Sequence, residues 1–115
     1  MKSKISSYAF SKIYPMYIQK VEKKGRTKGD VDTVIYWLTG YDEQGLRMQI
    51  AKDVDLEVFF AEAPQINTNA DKITGKICGI RVEEIADPLT QKIRWLDKLV
   101  DEVASGKAMD KILRK

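Results

Sequence analysis

The densest cluster of basic side chains lies within six consecutive residues and consists of Lys23, Lys24, Arg26 and Lys28. This segment falls between two predicted helices, directly before the N-terminus of the second. A helix N-terminus offers free backbone N–H groups and a positive potential, so a phosphate group or a nucleic-acid backbone could bind there. The alternative, which we favour, is a solvated turn in which Gly25 ends one helix and Thr27 caps the next. Asp30 and Asp32 follow closely and would oppose a bound anion.

Other residue types that carry chemistry are scarce. The chain of 115 residues has no His and one Cys, which excludes Ser-His-Asp triads, zinc sites with His ligands and an internal disulfide framework. We expect the single cysteine, Cys78, in the core, because its neighbours are apolar and no His can activate it. The acids at positions 53, 55 and 57 alternate as in calcium loops, but the central Gly and the acid at the twelfth position are missing. We therefore expect no metal and no cofactor.

The net charge of +3 hides an uneven distribution of charge along the chain. Residues 1–28 carry eight bases and one acid, residues 29–71 carry two bases and nine acids, and residues 72–115 carry ten bases and seven acids. The basic block could contact an anionic partner. We favour the alternative that the first two blocks face each other in the fold or are simply solvated.

Tyrosines alternate with lysines in the basic block: Tyr8, Tyr14 and Tyr17 lie among Lys4, Lys12 and Lys20. Aromatic side chains among bases can stack on a nucleic-acid single strand. At this helical spacing they are more often half-buried residues with a solvated hydroxyl, and we favour that interpretation.

Apolar spacing and capping residues predict about six short helices. Pro15 suits the first turn of a helix, so the first helix is expected at about 15–24, after a short turn over 8–14. Thr27 and Asp30 form a capping-box pattern before the second helix, which is expected to end at Gly40. Three further N-cap residues are Asp42, Asp55 and Asp87, and a last short helix is expected after Ser105-Gly106.

Residues 72–82 fit both a helix and a strand. Ile73, Ile77 and Ile80 would share a helix face, although two glycines weaken it, and 77–82 could instead be extended. We favour a helical turn followed by an extended piece. The predicted fold is all-α, a small orthogonal bundle of about six short helices with room for one short extended segment near 77–82.

The chain is expected to form one domain over 1–115, with 1–7 as a loose N-terminal tail. Its longest apolar run, Val34-Ile35-Tyr36-Trp37-Leu38, is far shorter than the roughly 20 residues of a membrane span. Polar residues interrupt the N-terminal segment before an apolar signal-peptide region can form. We therefore expect a cytoplasmic protein without a membrane contact.

Several phrases of the sequence occur together in one known family. They are Tyr14-Pro15, Val21 to Lys28, Trp37-Leu38-Thr39-Gly40-Tyr41, Phe59 to Pro64, Cys78 to Ile85, Asp87-Pro88 and Gly106 to Arg114. Together they resemble the bacterial domain-of-unknown-function family 2200, over nearly the whole chain from about Tyr8 to Arg114. The resemblance implies a small, mainly helical bacterial protein. It implies no activity and no functional residues.

These observations favour a non-enzymatic module that interacts with an unknown protein partner or regulates one. The alternative is a nucleic-acid-associated protein that binds phosphate backbone through its basic N-terminal third. An enzyme that uses Asp, Glu, Lys or Tyr is a third class, and we lean away from it. The two leading hypotheses differ in what they require: the first needs an exposed apolar surface, and the second needs free cations.

Overall fold

The computed structural model describes residues 4–77 and 79–114, and these form six α-helices and one two-stranded sheet. The helices are α1 (Phe10–Glu22), α2 (Lys28–Thr39), α3 (Glu43–Ala51), α4 (Leu56–Ala61), α5 (Pro88–Ala104) and α6 (Met109–Ile112). The strands are β1 (Lys76–Ile77) and β2 (Ile80–Arg81), and 3₁₀ helices occupy Lys4–Ser7, Ala70–Lys72 and Val82–Glu84. The predicted small, mostly helical bundle is confirmed.

Helix α5 is the centre of the bundle, since α1, α2, α4, α6 and β1 all contact it. Its apolar residues recur every three or four positions, which places Ile93, Leu96 and Val100 on one fully buried stripe. Asp87 caps the helix by accepting a 2.9 Å hydrogen bond from the backbone N–H of Thr90. The sequence predicted this cap.

The start and the end of α2 also follow the sequence prediction. The Thr27 hydroxyl accepts from the Asp30 N–H at 3.3 Å, and the Asp30 carboxylate accepts from the Thr27 N–H at 3.1 Å. This reciprocal pair satisfies two N–H groups that the helix itself leaves without a partner. Gly40 ends the helix with φ at 78°, a conformation that favours glycine.

The predicted start of the first helix is wrong. Helix α1 begins at Phe10 and includes Pro15, which therefore donates no backbone hydrogen bond to the carbonyl of Ser11. Pro15 is exposed, so solvent can reach this part of the helix. The longer helix buries Phe10 completely and stacks its ring on Phe59, with the two centroids 4.0 Å apart. Tertiary packing thus overrides the local preference of proline.

Residues 4–7 are the part of the expected loose tail over 1–7 that the structure describes. They form a 3₁₀ helix against α4 and α5, and Ser6 is fully buried. Directly after this helix, the carbonyl of Tyr8 accepts from the Leu56 N–H at 3.0 Å. Ala9 also forms an isolated antiparallel bridge with Asp55 at the start of α4. Residues 4–7 are therefore packed against the bundle.

The ambiguous region combines both kinds of structure. A 3₁₀ turn over Ala70–Lys72 precedes an antiparallel hairpin in which Ile77 pairs with Ile80. The helical turn followed by an extended piece is therefore confirmed, although the extended piece folds back on itself. Gly79 has φ at 79°, which permits the tight reversal. The expectation that Cys78 lies in the core concerns a residue outside the described ones.

Candidate functional site

Arg26, a predicted anion contact, donates hydrogen bonds to backbone carbonyls at the end of α5. Its Nη1 donates to the carbonyl of Val103 at 3.2 Å and to the carbonyl of Lys107 at 2.9 Å. Its Nε lies 3.2 Å from the Asp30 carboxylate. A cation at the C-terminus of a helix compensates carbonyl groups that have no partner within the helix. The guanidinium charge of Arg26 is therefore offset by a carboxylate and by carbonyl groups of the protein itself.

Lys28 also pairs with a carboxylate of the protein itself, in a cluster with Tyr14 and Asp32. The Lys28 Nζ lies 2.8 Å from Asp32 and 5.7 Å from the centre of the Tyr14 ring. The Tyr14 hydroxyl donates a hydrogen bond to the same buried carboxylate. Burial, together with this bond, raises the pKa of Tyr14 to about 12. The hydrogen bond to Asp32 is the main reason that the pKa of Lys28 lies above its ordinary value.

The other two predicted contacts, Lys23 and Lys24, are exposed at the C-terminal end of α1. The N-terminus of α2 beside them is already capped by Thr27 and Asp30. The structure therefore divides the predicted site into two cations paired with Asp30 and Asp32 and two lysines on the surface. Anion binding by this segment stays a prediction.

The Tyr14 cluster borders a surface depression of about 490 Å³ between α1, α2 and α3. Its remaining charged side chains, Glu43 and Arg47, form an ion pair at 2.6 Å. Since Lys28 pairs with Asp32 in the same way, the charges that line this depression are matched. Asp32 and Glu43 lie close enough to raise the pKa of Tyr36, after burial as the larger cause. The Tyr14–Asp32 hydrogen bond joins α1 to α2, whereas Glu43 and Arg47 pair within α3. We assign the arrangement a structural role.

A second set of depressions lies on the other side of α1. One, of about 320 Å³, is lined by Ile13, Met16, Tyr17, Lys20, Leu56, Ile93 and Asp97. The other, of about 420 Å³, is lined by Ser7, Tyr8, Ala9, Lys12, Ile13 and Met16. The two depressions adjoin because they share Ile13 and Met16. We call them together the α1 groove.

Exposed apolar side chains concentrate at the α1 groove. Met16 is 62% exposed and Tyr8 is 46% exposed, whereas a large apolar residue in a helical domain usually packs inward. Among the described residues the other exposed large apolar side chains are Met48 and Ile80, and neither lines the groove. Half of these side chains therefore border one concave surface.

Polar contacts hold the wall of the groove in place. The Tyr17 hydroxyl donates a hydrogen bond to Asp97, which connects α1 to α5, and Arg94 lies 2.9 Å from the same carboxylate. Lys20 adds an ion pair with Asp101 at 3.3 Å. Because Tyr17 is buried and its hydroxyl is bonded to Asp97, this wall of the groove is held against α5.

Met16 is not among the candidate residues predicted from the sequence. Of the tyrosines that alternate with lysines, Tyr14 and Tyr17 have buried rings with hydroxyls bonded to carboxylates. The available signal was the four-residue spacing of Lys12, Met16 and Lys20, which places one apolar residue on the polar face of α1. A single such residue is common on protein surfaces, so the spacing alone could not identify a groove.

The fold and the groove define a small helical domain with an apolar surface depression along its first helix. The chain belongs to the family DUF2200, described as an uncharacterized protein conserved in bacteria, whose model matches residues 4–114. The resemblance noted from the sequence is thereby confirmed. A crystal structure of the uncharacterized protein SP1917 is similar to this chain, with 44% sequence identity and a TM-score of 0.91. The similarity covers 98% of this chain and 93% of that one.

The comparisons name no activity. No curated protein matches the chain. Within the described ranges, no three side chains of the types Asp, Glu, His and Cys group closely enough to hold a metal ion. None of the helices in those ranges has both the length and the apolar composition needed to cross a bilayer.

Proposed function

We propose that this protein is a non-enzymatic interaction module that binds an apolar segment of a partner protein in the α1 groove. One observation carries the proposal: Met16 stands 62% exposed where two adjoining apolar depressions meet. Removing apolar surface from water on binding makes the free energy of association more favourable by roughly 25 cal/mol per Å². Methionine and tyrosine are enriched at protein interfaces, where the flexible methionine adapts to its partner.

The charge distribution supports a protein partner over a nucleic acid. Arg26 and Lys28 pair with the carboxylates of Asp30 and Asp32, so their charges are partly offset within the protein, although Lys28 is 60% exposed. Lys23 and Lys24 are the other exposed cations of the predicted backbone contact. Stacking on a single strand requires exposed aromatic faces, and in the basic block Tyr8 is the exposed tyrosine among the described ones. We also propose that the protein acts in the cytoplasm, which its lone cysteine supports.

The proposal is tested by selecting binders from a displayed random-peptide library on three versions of the protein. These are the wild type, Met16→Glu and a matched control, Met48→Glu. Met48 is 60% exposed on α3 and lies outside the groove, so both substitutions place the same charge at an equally exposed methionine. Exposed substitutions of this kind usually change stability by less than about 0.5 kcal/mol, and thermal unfolding checks that both variants are folded.

We expect the wild type and Met48→Glu to enrich the same peptides, and we expect Met16→Glu to bind them about tenfold more weakly or not at all. Enrichment of no peptide, or of peptides that bind Met16→Glu equally well, would overturn the proposal. Anisotropy with a labelled single-stranded oligonucleotide tests the alternative. Salt-sensitive binding that Lys23→Ala with Lys24→Ala abolishes and Met16→Glu preserves would establish nucleic-acid association instead.

A further inference from the structure

We infer that the occupant of the α1 groove is an amphipathic helix of a partner protein, with acidic side chains beside its apolar stripe. This inference rests on the proposed function and specifies its partner.

The exposed face of α1 is basic around its apolar centre. Lys12 and Lys20 lie one helical turn before and after Met16, and Lys23 continues the same face. Lys12 and Lys23 are exposed. The acid of α1 is Glu22, at the last position of the helix. An apolar side chain placed on Met16 would therefore have lysines on both sides along the groove.

The neighbouring acids cancel this charge only in part. Asp97 lines the groove from α5 and pairs with Arg94. Asp101 lies 3.3 Å from Lys20 and 4.0 Å from Lys98 of its own helix. Near the other end, Asp53 accepts a 2.5 Å hydrogen bond from the Ser11 hydroxyl, a neutral group. The cations and acids of α5 balance here, and the three lysines outnumber Asp53 and Glu22, so a net positive charge remains. Acidic side chains on a partner would complement it.

The walls of the groove favour a helix over an extended segment. An added strand needs a free sheet edge, whereas α1 and α5 use their backbone groups within the helices. A helical partner satisfies its own backbone groups and contributes only side chains. The groove follows α1 from Ala9 to Lys20, about 17 Å at 1.5 Å per residue, which is about three helical turns.

Two other occupants fit less well. A second copy of this chain, placed symmetrically on the groove, would bring two lysine-rich faces together. A lipid surface needs a continuous row of protruding apolar side chains, whereas the apolar residues here line a concavity from which Met16 and Tyr8 project. We therefore assign the groove to a helix of another protein.

The test repeats the peptide selection on Lys12→Glu with Lys23→Glu, two exposed lysines of this face. A matched control, Lys76→Glu with Lys111→Glu, makes the same change in net charge at exposed lysines away from the groove. We expect peptides from the wild type and the control to place apolar residues three and four apart, flanked by Asp or Glu. We expect the groove variant to select Lys or Arg at the flanking positions.

The best peptide is then synthesised in three forms: unchanged, with its acids replaced by Lys, and with a central Pro. Fluorescence anisotropy should show about a tenfold loss of affinity in each changed form. Peptides that depend on Met16 but show no acidic preference, or that tolerate the proline, would overturn this inference and leave the proposed function standing. Loss of Met16 dependence would overturn both.

Self-association or vesicle binding that requires Met16 would also overturn the inference. Light scattering over a range of protein concentrations detects the first, and sedimentation with phosphatidylglycerol vesicles detects the second. We expect a monomer and no sedimentation.

Discussion

Replacing Tyr14 by Phe should lower the free energy of unfolding by about 2 kcal/mol at pH 8. The phenol hydroxyl donates a hydrogen bond to Asp32, a carboxylate that is 8% exposed and also pairs with Lys28. A hydrogen bond to a charged group typically contributes about 1.5–3 kcal/mol. The substitution removes this donor from a buried acceptor and leaves the rest of the ring in place.

The same contact predicts a loss of stability at alkaline pH. Burial and the bond to Asp32 raise the pKa of Tyr14 from 10.0 to about 12. Because the folded protein holds this proton more tightly than the unfolded chain, the stabilisation is complete below pH 10. It is lost as the pH rises through about 12. A difference of about two between the pKa of Tyr14 in the folded protein and in the unfolded chain corresponds to about 3 kcal/mol of stability. Phenylalanine does not titrate, so the difference in stability between the two proteins should shrink over this interval.

Urea unfolding followed by tryptophan fluorescence from pH 8 to pH 12 measures this difference. Tyr41, whose pKa burial raises to about 12, titrates in both proteins and so largely cancels. Tyr8→Phe is the control, because Tyr8 is exposed and its substitution should cost less than about 0.5 kcal/mol. If Tyr14→Phe costs no more than the control, or if the difference stays constant with pH, the Tyr14–Asp32 bond does not stabilise the fold.

Three further predictions concern the fold. Phe59→Ala should cost about 3–5 kcal/mol in urea unfolding, since Phe59 is fully buried among stacked rings; a loss below about 1 kcal/mol would show that the core repacks. Gly40→Ala should destabilise more than Gly25→Ala: both have positive φ, but only at Gly40 would a Cβ lie 2.9 Å from a backbone nitrogen. Equal melting temperatures would contradict this. Arg114→Ala should cost about 2–3 kcal/mol, because it removes two hydrogen bonds of 2.5 and 2.7 Å from the buried Glu102; unchanged unfolding would contradict it.

The elements that the sequence predicted well depend on contacts a few residues apart. The Thr27–Asp30 box and the Asp87 cap are local hydrogen bonds, so residue type and spacing suffice to place them. The start of α1 was missed because it depends on Phe59, which is far away in the sequence. Pro15 carries a local signal for a later start, and the burial of Phe10 outweighs it.

The contacts of the charge blocks were likewise predictable only where the partners lie a few residues apart in the sequence. Arg26 and Lys28 of the basic block pair with Asp30 and Asp32 of the acidic block, each four residues away. That spacing is visible in the sequence, and it supports the interpretation that the two blocks partly neutralise each other. Arg26 also bonds the carbonyls at the end of α5, which no local pattern could indicate.

The groove could not be predicted, because exposure of Met16 depends on what packs beside it. Helix α1 buries one face through Tyr14 and Tyr17, each bonded to a carboxylate of a different helix. These two bonds fix the rotation of α1 and so leave Met16 outside. Because α1 already has this orientation in the free protein, the proposed binding would not lose affinity through the entropy of ordering this wall of the groove. The two tyrosine–aspartate pairs thus position the exposed methionine on which the proposed function depends.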